Sequence, residues 1–265
     1  RYIELFGPGS LFWQRATVTE LAETTPPLLQ YLDYFARNRY ASALTLSGQA
    51  RQQAFADAVP LWQKMLAVLD EPLLQKQQAA RDYSAADIRY LLAESYAGAA
   101  LQDDALALYT QLGFAATEPG TLFTAQDAAY KALLLSEKLA QQHASTAQRH
   151  WQLQTEFVNV HRSHPAAQQV ALQQLQQRYS EQDYYGVIQH SNAVTDWPLP
   201  TQSQSALVQE AQFLHSQSEL ALQQYAAAEH SISALLSQGA ADLSADRRKL
   251  LTEQLASSIY QQAQQ

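Results

Sequence analysis

The chain has 265 residues and a net charge of −8, with 47% apolar residues and only 8 Gly and 9 Pro. So few turn residues exclude a many-stranded β protein, and 17 Lys plus Arg without a basic cluster argue against binding nucleic acid through its phosphates. The absence of Cys excludes disulfides, a thiolate nucleophile and Cys-ligated zinc, and no apolar run approaches the length of a membrane span.

Ala, Leu and Gln dominate, all good helix formers, and Gln fills about one position in seven. The glutamines are interleaved with periodic apolar residues, so they read as uncharged helix surface rather than an aggregation tract. Residues 1–9 read as a lead-in, and GPGS places Ser10 as the N-cap of a short helix that ends before Pro26. LLQYLDYFARN, YASALTLSGQARQQAFADAV, LWQKMLAVLD after Pro60 and LLQKQQAA after Pro72 follow, each with apolar residues three and four apart. Pro27, Pro60 and Pro72 are placed at helix starts, where a missing N–H is tolerated. Ser84 with Asp87 and Thr124 with Asp127 predict capping boxes that open helices at Ala85 and Ala125. Ser145 or Thr146 is expected to cap the next helix, Pro165 to begin another and Ser244 to cap the last, with longer loops at 114–123 and 196–205. The result is about a dozen helices and no strand.

The segment DIRYLLAESYAGAALQDDALALYTQL, 87–112, holds two helices back to back. Leu92, Ala93 and Tyr96 share the inner face of the first, and Ala105, Tyr109 and Leu112 that of the second. An alanine at the closest approach lets two axes come near the short end of the usual separation of about 8–10 Å, and the aromatic a turn later fills the remaining gap. The same small-large code is read in Ala147 with Trp151, Val187 with Val194, and Ala228 with Ile232 and Leu235. Ala105, Ala147, Val187 and Ala228 are 42, 40 and 41 residues apart by subtraction, a period that signals stacked helical repeats.

On Leu92, Ala93, Tyr96, Ala105 and Tyr109 the sequence resembles the tetratricopeptide repeat superfamily, with DYYGVIQHSNAV and QYAAAEHSISALL as further second helices. FVNVHRSHPAAQQVALQQLQQRYSEQDYYGVI is similar to longer-period repeats of bacterial envelope members. The period exceeds the family's 34, most units lack its first-helix Trp and Gly, and before residue 84 the match is helical amphipathicity alone. The resemblance implies an all-α, right-handed solenoid of antiparallel helix pairs. Its repeats cover 84–265, preceded by and continuous with divergent hairpins in 1–83. It also implies a concave groove lined by first helices: Asp87, Tyr90 and Glu94; Gln169, Gln176 and Tyr179; Glu210, Phe213 and Gln217. This lining suits a peptide or helix partner of neutral to basic character, although Tyr179 and Phe213 are equally placed to pack against a neighbouring unit.

All seven His fall between 143 and 230, and His150, His190 and His230 are 40 apart. Zinc needs ligands at about 2.0–2.1 Å, whereas equivalent positions on stacked units lie at least about 8–10 Å apart, so the spacing reads as a repeated surface position. His161 and His164 form an HxxH pair without a third ligand, and His164 before Pro165 reads as a junction. No GxSxG turn is present, GPGS lacks the lysine of a phosphate loop, and Asp103 and Asp104 fit a helix start. The aromatic residues read as core, except Trp197 in the loop DWPLP. No catalytic residue, metal or cofactor is expected. The leading expectation is a non-catalytic protein-binding scaffold in a bacterial envelope assembly, periplasmic and not membrane-inserted. The alternatives are an accessory superhelical domain of a larger enzyme such as a cell-wall lytic enzyme, and a homodimerising spacer. Arg1 in first place, rather than Met, leads us to expect a segment cut from something longer.

Overall fold

In the computed structural model, described for residues 1–72, 74, 82–115, 120–196, 202–238 and 243–264 with backbone alone at 202–205 and 238, all regular structure is helical. The helix expected after Pro72, the centre of the 114–123 loop and Trp197 lie outside the described residues. Two compact units divide the chain, Arg1–Leu153 and Gln154–Gln265. The expected 83/84 junction falls inside the first.

Two short helices, α1 (Tyr2–Phe6) and α2 (Leu11–Arg15), open that unit, with Ser10 Oγ accepting from the Trp13 N–H at 3.0 Å as expected. Thr17 and Glu20 then form a capping box, Glu20 Oε2 accepting the Thr17 N–H at 2.8 Å, and α3 (Val18–Thr45) runs unbroken through Pro26 and Pro27. The short helix capped by Ser10 thus ends before Pro26 as expected, already at Arg15, but the helix expected to start at Pro27 starts instead at Val18. Proline removes one backbone bond and crowds the carbonyl four residues back. Here those carbonyls belong to Ala22 and Glu23, half-buried and exposed, where water can replace the lost donors. The buried stripe Leu21, Thr25, Leu28, Leu29 and Leu32 continues past the interruption. α4 (Gly48–Leu69) likewise contains Pro60 on its exposed side instead of starting there. The break that the sequence hid lies at 46–48, where Gly48 takes φ +58°, a conformation that favours glycine.

One core joins Leu28, Leu29 and Leu32 of α3, Trp62, Met65 and Val68 of α4, and Ile88, Leu91 and Leu92 of α5 (Ala85–Gly98). Each such aliphatic side chain contributes about 1.5–3 kcal/mol on full burial. That continuity is why position 83/84 is no boundary between units. α5 packs on α6 (Gln102–Thr110), whose last turn opens into a π-helical turn, Gln111–Ala115, and both α6 and that turn pack on α7 (Ala125–Gln142). Gly113 permits the approach: a Cβ there would lie 2.6 Å from the backbone of Ala129. Leu92, Ala93, Ala105, Tyr109 and Leu112 are buried and Tyr96 half-buried, as the hairpin reading requires.

The second unit contains the end of α8 (Ala147–Val160), then α9 (Ala167–Ser180), α10 (Tyr184–His190), α11 (Asn192–Thr195), α12 (Gln202–Ala221), α13 (Tyr225–Gln238) and α14 (Ala245–Gln264). α9 packs on α10 and on α12, α12 on α13, and α13 on α14. Ser244 caps α14 as expected, accepting from the Arg247 N–H at 3.3 Å. Pro165 lies in the turn before α9 rather than at its first residue.

A single turn geometry recurs in three hairpins. Between α5 and α6 the Leu101 N–H reaches back to the Tyr96 carbonyl at 2.9 Å with Ala100 at φ +63°. Between α9 and α10 it is Asp183 to Arg178, with Gln182 at φ +62°, and between α12 and α13 it is Gln224 to Glu219, with Gln223 at φ +59°. This six-to-one bond with a left-handed residue is a helix C-cap that here joins two helices directly. Positions 100, 182 and 223 are separated by 82, twice 41, and by 41. Five residues after each stands Ala105, Val187 or Ala228, all fully buried.

Ala147 does not belong to this series, which corrects the expected register. It is exposed and Trp151 only half-buried; the buried stripe of α8 is Leu153, Gln154, Phe157 and Val158. α7 continues to Gln142 and a 3₁₀ turn, Ala144–Thr146, intervenes, so α8 starts with a different face inward. The Thr146 hydroxyl donates to the His143 carbonyl at 2.8 Å within that turn. No helix among the described residues is long and apolar enough to cross a membrane.

Candidate functional site

Asp87, Tyr90 and Glu94 share one face of α5, three and four residues apart, and the structure engages all three. Ser84 Oγ accepts the Asp87 N–H at 3.1 Å, half of the expected box. The Asp87 carboxylate turns instead to the next segment, accepting from the Thr121 N–H at 2.7 Å, the Thr121 hydroxyl at 2.6 Å and the Leu122 N–H at 2.9 Å. Asp87 is only 7% exposed. Burial alone would raise its pKa, but the Thr121 hydroxyl and the two backbone donors outweigh it and hold the carboxyl below its ordinary value. Thr124 and Asp127, by contrast, complete a reciprocal box at the start of α7.

Three residues on, Tyr90 stacks on Phe123 with centroids 4.7 Å apart and planes at 6°, and meets Tyr109 edge-on at 6.2 Å. Glu94 accepts from both the Tyr109 hydroxyl and the Lys131 ammonium of α7. Lys131 Nζ lies 5.0 Å from the Tyr90 centroid and 5.8 Å from that of Tyr109, cation–π distances. Burial pushes the Tyr109 phenol up, and the neighbouring Glu94 carboxylate adds to it.

The α12 face repeats this logic. Glu210 pairs with Arg247 of α14 at 2.7 Å, the Arg247 guanidinium lies 4.0 Å over the Phe213 ring, and Gln217 and Gln254 exchange amide hydrogen bonds at 2.9 and 2.8 Å. Glu94 to Lys131, Glu210 to Arg247 and Gln217 to Gln254 all span 37 residues, one helical turn less than the 41-residue period. Gln217 is 123 residues, three periods, after Glu94, and Gln254 three periods after Lys131. Two helices, α5 and α12, therefore use these positions to bind the helix 37 residues on, α7 and α14 respectively. Sequence reading assigned Asp87, Tyr90, Glu94, Glu210, Phe213 and Gln217 to a groove but omitted their partners Lys131, Arg247 and Gln254, for which the signal was complementary side chains 37 apart.

Gln169 and Gln176 are different. Both are exposed, seven residues apart on one face of α9, whereas Tyr179 packs edge-on to Tyr184 of α10 within its own hairpin at 5.5 Å.

The histidines do not share one environment. His150 Nδ1 is 2.9 Å from Ser136 Oγ, and His190 Nδ1 donates to the Gly186 carbonyl at 2.8 Å. The Ala166 N–H donates to His164 Nδ1 at 3.1 Å, and the His164 ring lies against Phe157, the junction expected before Pro165. His215 bridges Ser191 at 2.7 Å and Glu219 at 3.1 Å beside a cavity of about 330 Å³ bordered by Asp196, Gln212 and His230. That chain of atoms has the composition of a hydrolytic triad. Ser191, which also lines that cavity, is only 1% exposed, and its hydroxyl reaches the Ile188 carbonyl at 3.1 Å as well. The array acts as a clasp between α12 and the 191 turn. Among the described residues no group of three His, Asp or Glu is placed to hold a metal ion. Compared with protein-family models and with curated proteins, the chain matches none.

Proposed function

We propose that the chain is a non-catalytic scaffold for protein or peptide partners, a segment of a right-handed, tetratricopeptide-like solenoid of helix pairs. The recurring left-handed turn at 100, 182 and 223, with a buried small residue five positions on, carries this reading, because hairpins with one turn and one contact position stack on their neighbours in one way. The negative net charge favours a neutral to basic partner. Exposed Gln169 and Gln176 offer donors and acceptors to such a segment. A bacterial envelope setting rests on the resemblance of the His164–Pro165 region alone.

The test is site-specific photocrosslinking. A benzophenone side chain at position 169 or 176 should give discrete adducts with another protein in cells expressing the chain, and the same group at exposed Ala227 on α13 should not. Identical adduct patterns at all three positions, or none at 169 and 176, refute the reading.

A further inference from the structure

The bridge between Glu94 and Lys131 contains more chemistry than bridging requires. Its positional equivalent three periods later, Gln217 with Gln254, joins α12 and α14 with uncharged amides. At the earlier position stand instead a carboxylate and two tyrosine rings disposed around an ammonium ion. Tyr90 also stacks on Phe123, and Tyr109 also donates its hydroxyl to Glu94, so each wall has a contact besides the cation. The site is partly open, with the Lys131 side chain 38% and that of Glu94 23% exposed. Aromatic faces with a carboxylate form a receptor for an alkylammonium or guanidinium group.

We propose that Tyr90, Tyr109 and Glu94 are a receptor for a Lys or Arg side chain of the bound partner, and that Lys131 fills it in the free protein as an intramolecular stand-in. This rests on the scaffold reading and names the partner chemistry at one point of it. A guest must displace Lys131, whose tether gives it a high effective concentration, so the free chain responds weakly to cations in solution. Removing the tethered occupant uncovers the receptor.

The experiment uses n-butylammonium chloride, the tip of a lysine side chain, against NaCl at equal ionic strength, with thermal unfolding and the tyrosine ring resonances as readouts. Lys131→Ala should unfold at lower temperature than the parent. Butylammonium should raise its transition saturably, with a half-effect concentration at least fivefold below that of the parent, and shift the Tyr90 and Tyr109 resonances. Lys131→Met, which keeps the apolar stem, should respond in the same way if Lys131→Ala folds poorly. Glu94→Gln added to Lys131→Ala should abolish the response, and Gln254→Ala at the equivalent amide pair should show none. A response of the Lys131 variants equal to that in NaCl, or one that survives Glu94→Gln, overturns the proposal and leaves an ordinary interhelical ion pair. The response needs no partner and the crosslinks at 169 and 176 need no Lys131, so the failures of the two readings are separable.

Discussion

Asp87→Ala removes a carboxylate that accepts three hydrogen bonds from the segment preceding α7, and its consequence can be worked out in magnitude and in pH dependence. A hydrogen bond to a charged group contributes about 1.5–3 kcal/mol. Thr121 and Leu122 are exposed in the native chain, so water recovers part of each loss. The expected net destabilisation of the first unit at pH 7 is therefore about 2–3 kcal/mol, and Asp87→Asn, which keeps one acceptor oxygen without its charge, should cost roughly half of that. The carboxyl of Asp87 is held below its ordinary value in the folded chain, so its stabilisation is present above the unfolded carboxyl pKa and is lost as pH falls through the folded one. Urea unfolding followed by intrinsic fluorescence between pH 7 and pH 3 should show a gap between parent and Asp87→Ala that is constant down to about pH 5 and narrows below about pH 4. Tyr90 resonances should broaden at the same time, since Phe123 depends on that anchored segment for its stack. A gap independent of pH, or one smaller than about 0.5 kcal/mol at pH 7, the range of ordinary surface substitutions, would refute the assigned role of the carboxylate.

Gly113→Ala should destabilise by about 1–2 kcal/mol in equilibrium unfolding. Overpacking against the Ala129 backbone costs about 1–3 kcal/mol and exceeds the gain of about 0.8–1 kcal/mol from replacing a helical glycine. Ala228→Leu should cost a similar amount through overpacking while Ala147→Leu should change the thermal midpoint by no more than the scatter of surface variants; equal effects would restore Ala147 to the repeat register. Ala100→Gly should stabilise by about 0.5–1 kcal/mol by relieving the left-handed φ of +63°, and a lower melting temperature would show that the turn carries no such cost.

The all-helical class was legible because it depends on signals within one or two turns. Apolar spacing marked the buried faces, and Ser10, Ser84, Thr124 and Ser244 marked the helix starts. Thr17 with Glu20 was an equally plain capping box that went unread because Pro26 drew the boundary elsewhere. The prolines misled because a chain-local rule counts the lost N–H but not which side of the helix it faces; at Pro26, Pro27 and Pro60 the affected carbonyls belong to half-buried or exposed positions. Ala147 was misplaced by counting, since one 3₁₀ turn shifts the buried face without altering the local apolar pattern. The candidate surface was the least legible part. Whether Glu94 or Glu210 faces solvent or a cation depends on a residue 37 positions away, beyond the reach of a periodicity read within one helix.

The 37-residue bridges also act as an addressing system for the helix pairs. Glu94 requires a cation at the seat filled by Lys131, while Gln217 is matched by the neutral amide of Gln254. A hairpin carrying Glu94 moved to precede Gln254 would set its carboxylate against an amide donor, and one carrying Gln217 moved to precede Lys131 would set an amide oxygen against the ammonium, each a single hydrogen bond in place of an ion pair or a doubly bonded amide pair. Exchanging these halves should therefore weaken the helix contacts rather than abolish them, so polar side chains bias which helices meet while alanine and leucine supply the packing.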